Sequence, residues 1–552
     1  MFLESLISVY ENLLKMDKMP RYGWERAGIS YVIDLNSDGK VNQVIDVRSI
    51  SEGSKSKKPI PTFYLVPARA KRSRNTAANF LADNTSYMLG LDAAKDPVLN
   101  ADHFNACKKL HLNLLKNIDS PVANGIRRFY EVYDPSKTDM FGEDADILLN
   151  EVGNVMFSVD GELAVEDKEI RPVWEEYFRS YLDEKVARLH PQFTGIRKGS
   201  SMGAAFVSFN MHSAEGYGLE QGDIAPWSGY QAFAYGAAFD YLLHDGYSRY
   251  FGDDLLLFYA ENGEEIYQKI MNAALNGQYE QLPKEEYIKI AESICQGKEY
   301  GDVKPDEIIH FAIVEGNAGR LILRLHVYDS LANILSHIEA YRERSIYDTK
   351  EGTESLSLYA LFRSVNPAKA SPPKEPRLDS ALLCPVMEAI LKDIPYPEIL
   401  ANNLVLRIRR DKAVTRMQRA VINDYLIRKG VISMQQSKAY QAGRLFGLCC
   451  NIQEEAIAGT MIVRSRYYPL VSVSPKAGMN QVYKVTNNFL TKSMDNKQKR
   501  EFFAKTLSAL SAEAGELPEH LTIPEQAEFA AGFYDQLTLK YKSNMNGENE
   551  NE

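Results

Sequence analysis

The chain has 552 residues, of which 45% are hydrophobic and 25% charged, and its net charge is −10. These are the proportions of an ordinary globular protein of about two to four domains, and the acidic balance argues against a uniformly basic nucleic-acid binder. No apolar run reaches the roughly 18 residues of a membrane span.

The first residues, MFLESLISVYENLLKMDK, carry Glu4 and Glu11 in an apolar stretch. They lack a basic start and a small-residue cleavage site, so they read as an amphipathic helix and not as a signal peptide. The five cysteines (Cys107, Cys295, Cys384, Cys449 and Cys450) form no CxxC pair. They fit reduced thiols in a cytoplasm and give no zinc or disulfide framework.

Next, ISYVIDL (29–35) and VNQVIDVRS (41–49) alternate apolar and polar residues about NSDGK, an Asp-Gly hairpin. TFYLV (62–66) is a third strand, and 76–90 suits a helix with Thr76 as its cap. VMFSVDGELAV (155–165) is a second Asp-Gly hairpin, and 140–170 is acid-rich. In the middle, AFVSF (205–209), LLLFYA (255–260), IIHFAIV (308–314) and LILRLHV (321–327) read as strands. Helices are expected over 228–244 and 329–343, with GNAG (316–319) allowing an antiparallel connection. VNPAKASPPKEP (365–376) is the clearest linker. Beyond it apolar residues recur at helical spacing, with one helix each in 378–394, 415–430 and 437–456. The sequence therefore predicts an α+β protein: an N-terminal α/β region (1–140), a middle α/β region (141–364), the linker, and a C-terminal helical bundle (377–543) that folds on its own. A polar, disordered tail (544–552) follows.

Two stretches carry charge that could meet a polyanion. Residues 53–82 hold Lys55, Lys57, Lys58, Arg69, Lys71, Arg72 and Arg74 and no acid, then lead to Asn75, Asn79, Phe80 and Asn84. Cations hold phosphates, while amides and an aromatic ring can touch bases. A solvated surface loop has the same composition. Between 404 and 430, eight basic residues (Arg407, Arg409, Arg410, Lys412, Arg416, Arg419, Arg428 and Lys429) face only Asp411 and Asp424. Arg444, Arg464, Arg466 and Lys476 extend the stripe, with Tyr467 and Tyr468 beside it. Cations with aromatics suit single-stranded nucleic acid; a solvated helix face is the other reading.

Signs of catalysis are few. HExxH, Walker and GxSxG motifs are absent. His244-Asp245 is the dipeptide of an HD-type phosphohydrolase, with His212 and Asp240 as the nearby candidate ligands, but it also suits the end of helix 228–244. A metal-dependent phosphodiesterase is thus the alternative function. Asp253-Asp254 and Glu261 have no accompanying two-metal pattern.

GWER (23–26), ANFLADNTSYMLG (78–90), VSFNMHSAEGYGLEQGDIAPWSGYQAFAYG (207–236), FGDDLLLFYAE (251–261), GNAGRLILRLHVYDSLANIL (316–335) and YQAGRLFGLCCNIQEEA (440–456) occur in one order. With these motifs the chain resembles, over nearly its whole length, the large subunit of the type I-C CRISPR surveillance complex, Cascade. After Tyr467-Tyr468 the segment PLVSVSPKAGM departs from the small-residue run usual in that family. The resemblance implies a non-catalytic, cytoplasmic protein without metal or cofactor. It would recognise the short motif beside the target (the PAM), stabilise the R-loop and help recruit a helicase-nuclease. Implied partners are the backbone filament subunits, the subunit at the CRISPR RNA end, a small helical subunit, the CRISPR RNA and target double-stranded DNA. On this reading Lys71, Arg72 and Arg74 hold phosphates, one of Asn75, Asn79 and Asn84 reads base edges, and Phe80 wedges a base step. Arg407, Arg409, Arg410, Arg416, Arg419, Arg444, Arg464, Arg466 and Tyr467 would hold DNA through the helical part. In the family that part can also be made separately, and Met417 and Met434 are candidate internal starts.

Overall fold

The structure, a computed structural model, describes residues 2–49, 59–69, 77–150, 153–182, 191–208, 216, 224–244, 246–350, 352–365, 380–431 and 433–548. The chain divides into two compact units, Met1–His244 with Ala318–Leu321, and Asp245–Asn317 with Ile322–Glu552. The break expected at 140 therefore lies inside the first unit, and the expected linker lies largely outside the described residues.

The first unit opens with α1 (Phe2–Lys15), whose Leu6, Val9, Tyr10 and Leu13 recur at helical spacing and are buried. Then come β1 (Trp24–Ile29), β2 (Tyr31–Leu35), β3 (Val41–Asp46), β4 (Thr62–Pro67) and β5 (Ala82–Asn84). After these follow α2 (Thr85–Met88), α3 (Pro97–Leu115), α4 (Pro121–Val132) and α5 (Ala145–Asn150). The unit is completed by β6 (Asn154–Val159), β7 (Glu162–Leu163), α6 (Ile170–Tyr177) and α7 (Gly229–His244). One sheet has the order β3-β2-β6-β5, with β7 on β6; β2 and β6 run parallel and the other pairs antiparallel. β2 is buried along its whole length, as a central strand must be. Its Asp34 accepts bonds from Ser158 Oγ (2.6 Å), the Gly161 N–H (3.0 Å) and Asn42 Nδ2 (3.1 Å). Burial works against that charge, but the donors hold the carboxyl below the usual carboxylate range. Both Asp-Gly hairpins form; Asp160 (φ 48°) and Gly161 (φ 84°) take the left-handed conformation that a tight hairpin demands.

The third strand forms as β4, which pairs antiparallel with β1 as a separate two-stranded ribbon. The helix expected over 76–90 is corrected: a loop, the short β5 and the one-turn α2 stand there. The reason is tertiary. Leu81 has φ 59° and donates its N–H to His111 Nε2 (2.9 Å), while Ala82, Asp83 and Asn84 pair with β6. The expected strand 205–209 is also missing among its described residues, where Ala205 makes only an isolated bridge.

The second unit holds β8 (Ser248–Phe251), β9 (Asp254–Ala260), α8 (Glu265–Asn276), α9 (Lys284–Cys295), β10 (Ile308–Asn317) and β11 (Arg320–Ser330). Next are α10 (Leu331–Arg344), β12 (Ile346–Thr349), β13 (Gly352–Ser355) and α11 (Leu358–Val365). The helical run follows: α12 (Ser380–Lys392), α13 (Glu398–Asp411), α14 (Arg416–Arg428), α15 (Lys438–Ala456), α16 (Ile462–Val471), α17 (Pro475–Asn488), α18 (Lys497–Ala514) and α19 (Ile523–Glu548). The last helix thus reaches into the stretch read as a tail. Strand order is β11-β10-β9-β8, with β12-β13 a separate hairpin. The helical part does not keep a core to itself. Phe258 and Phe311 of the sheet, Leu335 of α10, Phe362 of α11, Val386 of α12, Leu404 of α13 and Phe533 of α19 belong to one buried cluster. Cutting between α11 and α12 would expose apolar faces on both pieces, which works against a bundle that folds alone.

Candidate nucleic-acid interface

In the first unit the basic run has a fixed point in its middle. Arg69 donates Nε to Glu25 Oε1 of β1 at 2.5 Å, and its N–H reaches the same oxygen at 3.2 Å. Lys71, Arg72, Arg74 and Asn75 lie in 70–76, outside the described residues, as do Lys55, Lys57 and Lys58 in 50–58. The first of these stretches ends at a second fixed point. Asn79 is only 6% exposed, and its N–H donates to Asp83 Oδ2 (3.0 Å). Phe80 is fully buried, stacked on Trp174 (centroids 5.6 Å, planes 18° apart) and tilted against His111 (5.0 Å). A ring so placed serves the core and cannot enter a base step without unfolding it. Asn84 is half-buried and caps α2, accepting the Tyr87 N–H at 3.3 Å.

His111 fixes this corner. Burial pushes its imidazole down to about 4, so it is neutral, with Nδ1 against the Cys107 carbonyl (2.9 Å) and Nε2 accepting from Leu81. The described residues on either side of 70–76 are thus held by an ion pair at Arg69 and by a packed core at Phe80.

The second unit treats its arginines differently. Arg419 forks onto Asp535 of α19 (2.9 and 3.0 Å). Arg428 is 2% exposed between Asp424 (2.9 Å) and Asp393 (3.1 Å), and also donates to the carbonyls of Ala389 and Ile394. Arg344 joins Asp424 (2.6 Å), as does the Tyr396 hydroxyl (2.5 Å). Arg407 pairs with Asp411, and Arg409 reaches Gln526 Oε1. Arg410 shares Asp411 (3.1 Å); burial opposes that carboxyl's charge, but Arg407 and Arg410 hold it below the usual range. Arg444 reaches Glu513 (3.5 Å), Arg416 donates to the Asp348 carbonyl (3.1 Å), and Arg464 contacts Met461 Sδ (2.6 Å). Arg466 is exposed over the ring of Tyr467 (5.5 Å), while Tyr467 and Tyr468 themselves are buried. Of the expected stripe, Arg416 and Arg466 face solvent, Arg410 faces solvent while paired with Asp411, and Arg407, Arg419, Arg428 and Arg444 are occupied by carboxylates.

At the alternative catalytic position, His244 is exposed and its Nδ1 lies 3.5 Å from Asp240 Oδ1, one turn earlier in α7. Asp245 and His212 lie outside the described residues. Among the described residues no group of three or more His, Cys, Asp or Glu side chains is placed to hold a metal ion.

The family described as CRISPR-associated protein (Cas_Csd1) matches residues 6–539 of this chain. The chain belongs to the Cas_Csd1 family. Among curated proteins no match is found. Cas_Csd1 membership makes the chain a subunit of a CRISPR-associated Cascade complex, alongside other CRISPR-associated proteins and a CRISPR RNA, and agrees with the large subunit of type I-C. No described helix is long and apolar enough to cross a membrane.

This Cas_Csd1 chain also carries a basic surface that the stripe at 404–430 obscured. Residues 476–505 hold Lys476, Lys484, Lys492, Lys497, Lys499, Arg500 and Lys505 against Asp495 and Glu501. Lys476, Lys497 and Lys499 have ion-pair partners. Lys484, Lys492, Arg500 and Lys505 pair with no carboxylate among the described residues, and beside them Phe502 of α18 is 63% exposed. A charge count over a 30-residue window of the sequence finds this patch.

Proposed function

We propose that this protein is the non-catalytic large subunit of a type I-C Cascade, that it recognises the PAM in duplex DNA, and that it stabilises the R-loop. The observation that carries the reading is the acid-free cationic run of 53–82, tied to the first unit at Arg69–Glu25 and at Phe80. Cations set register on phosphates, and an adjacent amide can then read base edges. Lys71, Arg72 and Arg74 supply the phosphate contacts. Asn75 and Asn84 are the better amide candidates, because Asn79 is buried. In the second unit, Arg410, Arg416 and Arg466, with Lys484, Lys492 and Lys505, offer exposed cations to a displaced single strand. Recruitment of a helicase-nuclease completes the role.

A separately made small subunit is also part of this reading. Met434 falls between α14 and α15, so a product starting there keeps α15–α19 whole. A start at Met417 discards Thr415, whose side chain and Gln418 form the capping box of α14.

The test is a randomised-PAM binding assay with the assembled complex. Asn75→Ala or Asn84→Ala should flatten PAM preference, since one amide–base pairing contributes about 1–3 kcal/mol of discrimination. A complex whose preference survives Asn75→Ala, Asn79→Ala and Asn84→Ala alike would refute PAM reading by these amides.

A further inference from the structure

On one face of the ribbon of β1 and β4, Trp24 and Pro67 are buried, while Phe63 and Leu65 are exposed. Cross-strand pairs set this face: Arg26 opposite Leu65, and Gly28 opposite Phe63. Phe63 is 71% exposed and Leu65 40% exposed, and Ile60, just before β4, is 48% exposed. Strand alternation explains the arrangement, because Ala27, Ile29 and Val66 point the other way into the core. Opposite Phe63 the partner strand offers Gly28, against which Pro61 packs, so no cross-strand side chain lies on the ring. Arg26 is exposed and pairs with no carboxylate among the described residues.

Charge decides what this face is for. Three apolar side chains are too few for a stable protein interface, which takes on the order of 800 Å² per partner. A bare ring with a cation beside it instead matches a nucleobase and its phosphate. The chain on both sides of β4 is cationic and acid-free over 53–82, a stretch of sequence attractive to a polyanion.

The geometry points to Phe63, with Leu65 and Arg26, as a stacking platform for a base unpaired from the target DNA beside the PAM, the task that the buried Phe80 cannot perform. This rests on the proposed function above and names the surface on which the duplex is first opened. A base leaving the duplex loses its stacking neighbours, and a ring that receives it lowers the cost of opening; Arg26 would hold its phosphate.

The test uses the assembled complex with wild type, Phe63→Ala and Phe63→Trp. The targets are one fully paired duplex and one already unpaired beside the PAM, each with 2-aminopurine at the first target position. Stacking on an aromatic side chain is strong enough that Phe63→Ala should slow opening of the paired target about tenfold or more. The same variant should match wild type on the pre-opened target, and Phe63→Trp should retain opening. Equal rates for wild type and Phe63→Ala on the paired target would overturn the platform and leave the proposed function standing. So would an equal loss on both targets, or failure of the Phe63→Ala complex to assemble, which would make this face a subunit contact. A wild-type complex that binds neither target would overturn the proposed function itself.

Discussion

The chain has two cationic stretches of similar density, and the fold uses them in opposite ways. In 53–82 the single described ion pair, Arg69–Glu25, ties the middle of the run to β1. In 404–430 the arginines are spent inward: Arg419 on Asp535, Arg428 on Asp424 and Asp393, Arg407 on Asp411. The acids that neutralise the second stretch come from as far as α19, over 100 residues away. Local charge density therefore says little about which cations meet solvent; acids supplied by other elements decide it.

The largest effect expected from this contrast is on stability. Arg428 is 2% exposed and Asp424 1%, and removing one member of a buried pair leaves a charge without compensation. Arg428→Ala should destabilise the protein by about 3–5 kcal/mol in urea unfolding. A loss below about 1 kcal/mol would mean that the pair does not hold the fold.

Next comes the N-terminal stretch. Replacing Lys71, Arg72 and Arg74 by Glu together should weaken binding of the assembled complex to any duplex, on the order of 100-fold at low salt. Thermal stability should hardly change. Equal affinity for the triple variant and wild type would assign these residues to solvent alone.

The corner at His111 provides a pH test of a few kcal/mol. In the folded state its imidazole is held at about 4, below the ordinary value near 6.5. The unfolded chain therefore binds the extra proton more readily. Stability from this group is complete above pH 6.5 and is lost as pH falls from 6.5 towards 4. His111→Gln should flatten that part of the stability profile. An unchanged acid limb would show that another group sets it.

The smallest effect belongs to the exposed end of the stripe. Arg416→Gln, which loses one bond to the Asp348 carbonyl and a contact 5.6 Å above the Tyr347 ring, should cost no more than about 1 kcal/mol of stability. A larger loss would place Arg416 with the inward group.

The elements that were legible carry local signals. Asp-Gly turns marked both hairpins, and apolar spacing marked α1, α7, α10, α12, α14 and α15. The failures share a cause. A helix over 76–90 satisfies local propensity, but pairing of Ala82–Asn84 with β6 and the Leu81–His111 bond override it. The ribbon β1–β4 and the shared core of the second unit are non-local in the same sense. At the site, the cationic run was visible from composition alone. The burial of Phe80 and Asn79 was not, because Trp174, His111 and Asp83 close over them from elements that the local pattern does not connect. Phe63 was read only as a strand residue, since alternation alone does not say which face stays bare.

The central claim is that the N-terminal cations meet DNA while the C-terminal arginines hold the protein together. The most direct measurement is the salt dependence of target-duplex binding by the assembled complex. It compares wild type with Gln at Lys71, Arg72 and Arg74, and with Gln at Arg407, Arg419 and Arg444. Each phosphate contact contributes about 0.9 to the slope of log affinity against log salt. The first triple should therefore lower the slope by about 2–3, and the second should leave it at the wild-type value. A slope that falls for the second triple and stays constant for the first would contradict the account.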